Sequence, residues 1–392
     1  MEDYKYLIIG AGMTADAAVR GIREIDQQGS IGLVGLETDP PYSRPPLSKG
    51  LWKGKPLDSI WCNTESLQVK LNLGQKIVSL DPVNISVQDD QGITYHGEKL
   101  LLATGGAPRL LPFGGDQIIY YRTLADYRRL AKMSADGKTF AVIGGGFIGS
   151  EIAAALALNG KKVTMLFPDD GIGAAVYPHD LSQFLNEFFR KKGVEIWSGE
   201  SVIGAEANRG KVTLKTKSGK ELLVDGVVAG IGIQPNVDLA KNAGLQTGNG
   251  IIVDETLNTS HPGIYAAGDV AEFFNPALNK RMRVEHEDNA NTMGRQAGRN
   301  MAGASEPYHH LPYFYSDLFE LGYEAVGELD ARMTVYADWE KPFQKGVLYY
   351  LKDDRVRGVL LWNVWEKIPA ARKLIADSKS LKPEDLKNLL SM

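Results

Sequence analysis

Two short glycine clusters carry the first chemical signal in the chain. One is Ile9-Gly10-Ala11-Gly12-Met13-Thr14-Ala15; the other is Ile143-Gly144-Gly145-Gly146-Phe147-Ile148-Gly149. Each follows an apolar run and opens an alanine-rich stretch, so each reads as a buried strand, a tight turn and a helix. In such a turn the first glycine makes the reversal and the second lets the backbone approach a phosphate. The third lets helix and strand pack closely. Gly144, Gly146 and Gly149 fill all three places, whereas Ala15 takes the third behind Gly10 and Gly12. Free N–H groups and the dipole at a helix N-terminus favour a pyrophosphate there. A second apolar strand follows each cluster and ends near an acid, Glu37 or Asp169, placed to accept hydrogen bonds from a ribose. A single glycine turn is weak evidence, because such turns are common between strands and helices. Two of them, with Gly10 and Gly144 lying 134 residues apart and each with its acid, point to two dinucleotides.

The elements that must position these residues repeat as well. Alternating strands with turn signals follow at 75–96 and again at 200–224. Each half closes on an apolar strand running into glycine, Leu100-Leu101-Leu102-Ala103-Thr104-Gly105-Gly106 and Val227-Val228-Ala229-Gly230-Ile231-Gly232. That is a duplication on the scale of a domain. The segment Ile264-Tyr265-Ala266-Ala267-Gly268-Asp269-Val270 is an apolar strand that delivers an aspartate into a turn. Asp269 there suits a ribityl chain, and taken alone it would equally suit an ordinary helix cap. Together with Thr104, Gly105 and the first glycine loop it favours FAD in the first site, which makes the second site the nicotinamide one. Asp169 and Asp170 repel a 2′-phosphate and no arginine follows in the next several positions, so NADH is expected rather than NADPH.

Composition bounds the rest. At 392 residues the chain suggests two or three domains, and its 43 glycines exceed the usual share. Forty-four basic against 48 acidic residues give a net charge of −4, which argues against a nucleic-acid partner. The single Cys62 excludes an intrachain disulfide, a dithiol redox pair and a multi-cysteine metal cluster, and no metal site is expected. No apolar run approaches the ~20 residues of a membrane span. Met1-Glu2-Asp3 leads at once into an apolar strand, leaving no room for a targeting segment, so a cytoplasmic protein is expected.

These segments together resemble the two-dinucleotide flavoprotein family that includes glutathione reductase, coenzyme A disulfide reductase and the ferredoxin reductases. The resemblance is sharpest to its apoptosis-inducing-factor-like members. It rests on Tyr42-Ser43-Arg44-Pro45-Pro46-Leu47-Ser48-Lys49, Val284-Glu285-His286, Ser316-Asp317-Leu318, Gly322-Tyr323-Glu324-Ala325, and Leu361-Trp362-Asn363-Val364 with Ile368-Pro369-Ala370-Ala371-Arg372-Lys373. It implies an α/β fold of glutathione-reductase type: two Rossmann-like dinucleotide-binding domains plus a C-terminal α+β domain. The order of segments assigns 1–115 and 235–305 to a discontinuous FAD-binding domain, 116–234 to the NADH-binding domain and 306–392 to the C-terminal domain. There, strands Gly346–Leu351 and Arg357–Trp362 should precede an amphipathic helix starting near Pro369. Two departures are visible. The stretch from Leu329 to Val347 lacks the long insertion of the mitochondrial members, and Tyr315 stands where the family has Trp. A compact microbial relative is expected.

The resemblance also assigns roles. Lys49 sits beside flavin N5 and pairs with Glu151, giving a cation that stabilises the electron-rich reduced flavin; a solvated surface lysine is the bland alternative. Phe147, within the second glycine loop, gates the flavin, with a core aromatic as the alternative. His286 lies against the isoalloxazine ring, though a lone histidine is more often structural, and Tyr315 packs near the nicotinamide or the flavin. Arg44 contacts the flavin pyrophosphate, for which a guanidinium is suited. The FAD set is Gly10, Gly12, Thr14, Ala15, Glu37, Arg44, Lys49, Val78, Thr104, Gly105, Arg122, Asp269, Glu285 and His286. The NAD set is Gly144, Gly146, Phe147, Ile148, Gly149, Glu151, Asp169, Gly232, Glu324 and Asn363. Cys62 follows Trp61, outside the segment from Tyr42 to Lys49, and reads as inert, since free cysteine usually behaves as a small hydrophobe.

Two functional readings follow. In the first, hydride passes from NADH to flavin N5 and electrons leave for an external acceptor: a quinone, a small redox protein or O2. In the second, a slow NADH sensor forms a charge-transfer complex, becomes a homodimer and acts through partners. The missing insertion favours the first.

Overall fold

The computed structural model describes residues 2–377 and 379–390. The chain divides into two compact units. One comprises Met1–Arg44, Leu57–Ala107 and Gln234–Tyr313; the other comprises Pro45–Pro56, Pro108–Ile233 and Phe314–Met392.

In the first unit, strand Glu2–Ile9 is flanked by parallel strands Ile31–Gly35 and Thr94–Leu102. Val69–Leu73 extends the sheet beyond Ile31–Gly35, a short strand the sequence pattern does not announce. Thr94–Leu102 is long enough to serve two partners. Its beginning pairs with Ser86–Asp89, which forms a hairpin with Ile77–Asp81, and its end pairs in parallel with Ile264–Ala266. Leu7, Ile8 and Leu100 to Leu102 are all fully buried, which is why these strands read as unbroken apolar runs rather than alternating ones. Helix Met13–Ile25 packs on helix Glu287–Met301 almost backbone to backbone. A methyl added at Gly21 would fall 2.0 Å from the Arg295 carbonyl oxygen, and one at Gly298 would fall 2.0 Å from that of Ala18.

The second unit repeats the plan. Strand Thr139–Ile143 lies between parallel strands Lys162–Phe167 and Gly226–Ala229, with Val194–Ser198 and Ile118–Tyr120 at the edges. An antiparallel sheet of Val202–Asn208, Lys211–Thr216 and Glu221–Val224 follows, in the stretch where alternation predicts strands. The C-terminal part is a five-stranded sheet in the order Tyr313–Leu318, Leu321–Gly327, Arg355–Trp362, Lys345–Lys352, Thr334–Lys341. The helix expected near Pro369 runs Ile368–Ala376 and buries Ile368, Ala371 and Ile375, a spacing that puts all three on one face. Among the described residues no helix is long and apolar enough to cross a membrane. No group of His, Cys, Asp and Glu among them could hold a metal ion.

Candidate functional site

Parallel pairing fixes both glycine loops at the carboxyl ends of their strands. Ile9 is in register with Val34 and Leu102, and Ile143 with Leu166 and Ala229. At Gly10 φ is +117° and at Gly144 it is +109°, and a Cβ at either would fall under 2.5 Å from a backbone carbonyl. Those two are glycine for reasons internal to the protein. Gly149 is too, because a Cβ there would lie 2.1 Å from the Gly144 oxygen. The middle glycines differ. Gly12 and Gly146 cap their helices with φ −96° and −81°, values any residue adopts. A Cβ at Gly146 would meet nothing within 4 Å, and one at Gly12 only the Arg44 guanidinium at 3.9 Å. Neither backbone nor packing requires glycine there. Open space over a helix N-terminus, kept clear of side chains, is what a dinucleotide pyrophosphate needs, so both loops fit the groups expected of them.

In the first unit, Gly268 approaches Thr14 closely, and the turn Gly268–Val270 places Asp269 just beyond the end of strand Ile264–Ala266. Glu37 accepts hydrogen bonds from the Tyr42 hydroxyl at 2.5 Å and from the Arg44 guanidinium, which also lies 5.1 Å from the Tyr42 ring centroid. Arg44 thus stands beside the glycine loop, anchored by the same acid expected to hold the ribose. Burial alone would lower the Arg44 pKa, but Tyr42 and Glu37 together hold it above the ordinary value. Ala15 is fully buried. Thr104 spends its hydroxyl on the Asn236 carbonyl, and Gly105 adopts φ +63° beside it. Val78 is half-exposed, three residues beyond Gln75, whose N–H bonds the Gly35 carbonyl. Glu285 pairs with Arg283, and His286 caps helix Glu287–Met301.

Cys62 belongs to this unit. Burial, with the nearby Asp16 charge, pushes its thiol up to about 12. A thiol so far above neutrality is not a thiolate, and the thiolate is the reactive form.

The second unit holds Lys49, Glu151, Phe147 and Tyr315 together. Glu151 lies on the first turns of helix Phe147–Leu158 and is only 4% exposed. Its Oε1 accepts from Lys49 Nζ at 2.7 Å and from Ser316 Oγ at 2.6 Å; its Oε2 accepts from Ser48 Oγ at 2.6 Å. Four consecutive residues of strand Tyr313–Leu318 each meet this region. Phe314 packs on Phe147 with ring centroids 5.5 Å apart, the Tyr315 ring lies 5.2 Å from Lys49 Nζ, Ser316 bonds Glu151, and Asp317 faces Lys53 at 3.4 Å. Ser48 and Ser316 both lie in segments the sequence singles out, but no spacing rule links them to Glu151.

The remaining expected nicotinamide residues are more dispersed. Ile148 is 38% exposed at the helix start, and Asp169 is exposed beyond strand Lys162–Phe167. Gly232 adopts φ +93°, and a Cβ there would lie 3.8 Å from the Arg109 side chain, a cation that no motif in the sequence marks. Glu324 has an Oε2 that is buried without a partner, and burial raises its carboxyl above the ordinary value. The Asn363 amide is already engaged, accepting from the Gly322 N–H and donating to the Gln344 carbonyl, both at 2.8 Å. Arg122, expected in the FAD set, belongs to this unit, where its N–H bonds Asp126 ahead of helix Leu124–Asp136. Tyr323 is fully buried against Trp362 and Tyr177. Its hydroxyl faces Tyr177 and Ser316 without a well-formed hydrogen bond, and burial pushes the phenol well above its ordinary value.

Comparison with known proteins agrees with this geometry. Residues 4–294 match the pyridine nucleotide-disulphide oxidoreductase family, and 297–342 with 336–377 match the C-terminal domain of mitochondrion-associated apoptosis-inducing factor. The chain is 34% identical to apoptosis-inducing factor 1, mitochondrial, of Dictyostelium discoideum, over 99% of this chain and 81% of that protein. It is 32% identical to the ferredoxin–NAD(+) reductase component of the anthranilate 1,2-dioxygenase system of Burkholderia cepacia, over 97% and 96%. The solved covalent putidaredoxin reductase–putidaredoxin complex contains a chain that superposes with a TM-score of 0.90 at 31% identity, covering 100% of this chain and 96% of that one. Family members of this kind use FAD and NAD(P)H. With both pyrophosphate cradles in place, the chain belongs to the pyridine nucleotide-disulphide oxidoreductase family and is an FAD-dependent NAD(P)H oxidoreductase.

Proposed function

We propose that this protein takes hydride from NADH, without a cysteine relay, and passes the electrons to a small redox protein. When bound, the nicotinamide and the flavin supply the hydride chemistry itself. The chain supplies position and charge. The two open glycines admit the pyrophosphates, Asp169 and Asp170 disfavour a 2′-phosphate, and the buried Lys49–Glu151 pair presents a cation to the electron-rich reduced flavin. Phe147 and Tyr315 border that pair, and Asp269 and His286 take the ribityl and ring contacts that resemblance assigns to them. The domain division proposed with it is 1–115 with 235–305 for FAD, 116–234 for NADH and 306–392 for the C-terminal domain, supported by the repeated sheet plan.

One observation carries the reading: a largely buried lysine neutralised by a glutamate at the start of the second glycine-loop helix. The small-protein acceptor is favoured because the putidaredoxin reductase of the covalent complex, like the anthranilate system's reductase component, is named for such a partner. The test is steady-state turnover of NADH with a small iron–sulphur protein, a quinone or O2 as acceptor, with molecular mass followed by light scattering. Turnover fastest with the iron–sulphur protein, at a mass that does not change on NADH addition, supports the proposal. Slow turnover with every acceptor, together with a doubling of mass, overturns it in favour of a sensor.

A further inference from the structure

We infer that Ser48 and Ser316 are positioning residues that set how the Lys49 ammonium is shared between Glu151 and the flavin. The inference rests on the reading that Lys49 serves the flavin.

Ser48 is 6% exposed and Ser316 1%, and they come from chain segments 103 and 165 residues away from Glu151. Each hydroxyl has a single proton, and geometry assigns both protons to the same carboxylate at 2.6 Å. The other acceptor open to Ser48, the Pro45 carbonyl, is 3.5 Å away. Bonds from hydroxyl to carboxylate at this length are among the stronger ones in proteins. Two buried serines are therefore fixed on an acid that already has an ionic partner.

Their division of labour has a consequence for Lys49. A carboxylate can present both oxygens to one cation, but here Ser48 holds Oε2 turned towards itself and Lys49 meets Oε1 alone. Ser316 draws on that same Oε1 and weakens its hold further. The ammonium has three N–H donors and spends one on Glu151; among the described residues it has no second protein acceptor. Its positive charge lies by the Tyr315 ring and lines a cleft with Trp52, Lys53 and Asp317. The serines keep Glu151 from drawing the cation fully to itself. Without Ser48, Oε2 is free to turn onto Lys49; without Ser316, Oε1 is no longer shared and holds Lys49 more strongly. In either case the cation is withdrawn and the electron-rich reduced flavin loses stabilisation.

The experiment uses the FAD-loaded protein and measures the flavin midpoint potential against a reference dye, together with NADH turnover. The variants are Ser48→Ala, Ser316→Ala, Ser316→Thr and Lys49→Ala. Both serine-to-alanine variants are expected to shift the potential to more negative values, in the direction of Lys49→Ala, by about tenfold in the equilibrium between reduced and oxidised flavin. They should also lower kcat by about tenfold at nearly unchanged KM for NADH, while Ser316→Thr, which keeps the hydroxyl, recovers both. If Ser316→Ala does not retain flavin, Ser48→Ala carries the same test. Unchanged potential and kcat in the serine variants beside a shifted Lys49→Ala overturn the serine assignment and spare the Lys49 reading. An unchanged potential in Lys49→Ala overturns the Lys49 reading itself.

Discussion

Alanine at Gly146 separates what the fold needs from what the cofactor needs. The backbone there has φ −81°, and an added methyl would have no protein atom within 4 Å, so the folded chain accepts alanine without strain. Two small effects oppose each other. Losing glycine from the unfolded chain stabilises by about 0.4–1 kcal/mol. Alanine is a poorer helix cap than glycine by an amount of similar size. The net change in stability should stay within about 1 kcal/mol, or roughly 2 °C in Tm for a chain of this length. Binding should respond differently. The methyl occupies the space the pyrophosphate must enter and removes at least one hydrogen bond to a charged group, worth about 1.5–3 kcal/mol. That is roughly a tenfold to hundredfold rise in Kd for NADH. Gly144→Ala is the contrast, because φ is +109° and the Cβ would sit 2.4 Å from the Gly230 oxygen, so it should lose stability outright. Thermal melts and NADH titrations of both variants make the comparison. Wild-type NADH affinity in a well-folded Gly146→Ala protein would refute the reasoning, as would a loss of Tm matching that of Gly144→Ala.

Three further outcomes follow from the site. Tyr323→Phe removes a buried hydroxyl that faces Tyr177 and Ser316 without a well-formed bond, so stability in denaturant melts should not fall; a loss of about 1 kcal/mol or more would show that the hydroxyl is bonded. Burial raises the Glu324 carboxyl above its ordinary 4.5, so in the window above that value the folded protein binds more protons than the unfolded one. Stability from this group is then complete below 4.5 and lost as pH rises through the raised value, so the Glu324→Gln variant should melt higher than the parent at neutral pH, the gap closing as pH falls. A gap that widens with acidification has the wrong sign for this account. Cys62→Ser should keep NADH turnover within about twofold, because the thiol is held protonated near 12; loss of turnover with flavin retained would reinstate a thiol step.

Much of this was legible in the sequence, and the reason is physical. A parallel strand buried on both faces reads as an unbroken apolar run, and a turn over a helix N-terminus needs glycine at fixed offsets, so Ile9 to Gly12 and Ile143 to Gly149 announce themselves. Asp269 was legible for the same reason, at the end of a buried run. Less visible were features made by residues far apart in the chain. The Ser48 and Ser316 bonds to Glu151 depend on side-chain directions that no local pattern encodes. Gly294 and Gly298 look like weak points of a helix until Thr14 and Ala18 are seen against them. Asn363 sits in a family motif, yet its amide is spent bracing Gly322 and Gln344, a use its position alone does not reveal. Val69–Leu73 is only partly buried, so it lacks the apolar signature of its neighbours.

The most direct test of the thiol-free hydride mechanism is an anaerobic titration of the FAD-loaded protein with NADH, followed by the flavin's visible absorbance, with NADPH run in parallel. Full bleaching by a single equivalent of NADH per flavin, unchanged in the Cys62→Ser variant and much slower with NADPH, is the expected result. A requirement for two equivalents, or a loss of reduction in that variant, would contradict the account by placing electrons on a thiol.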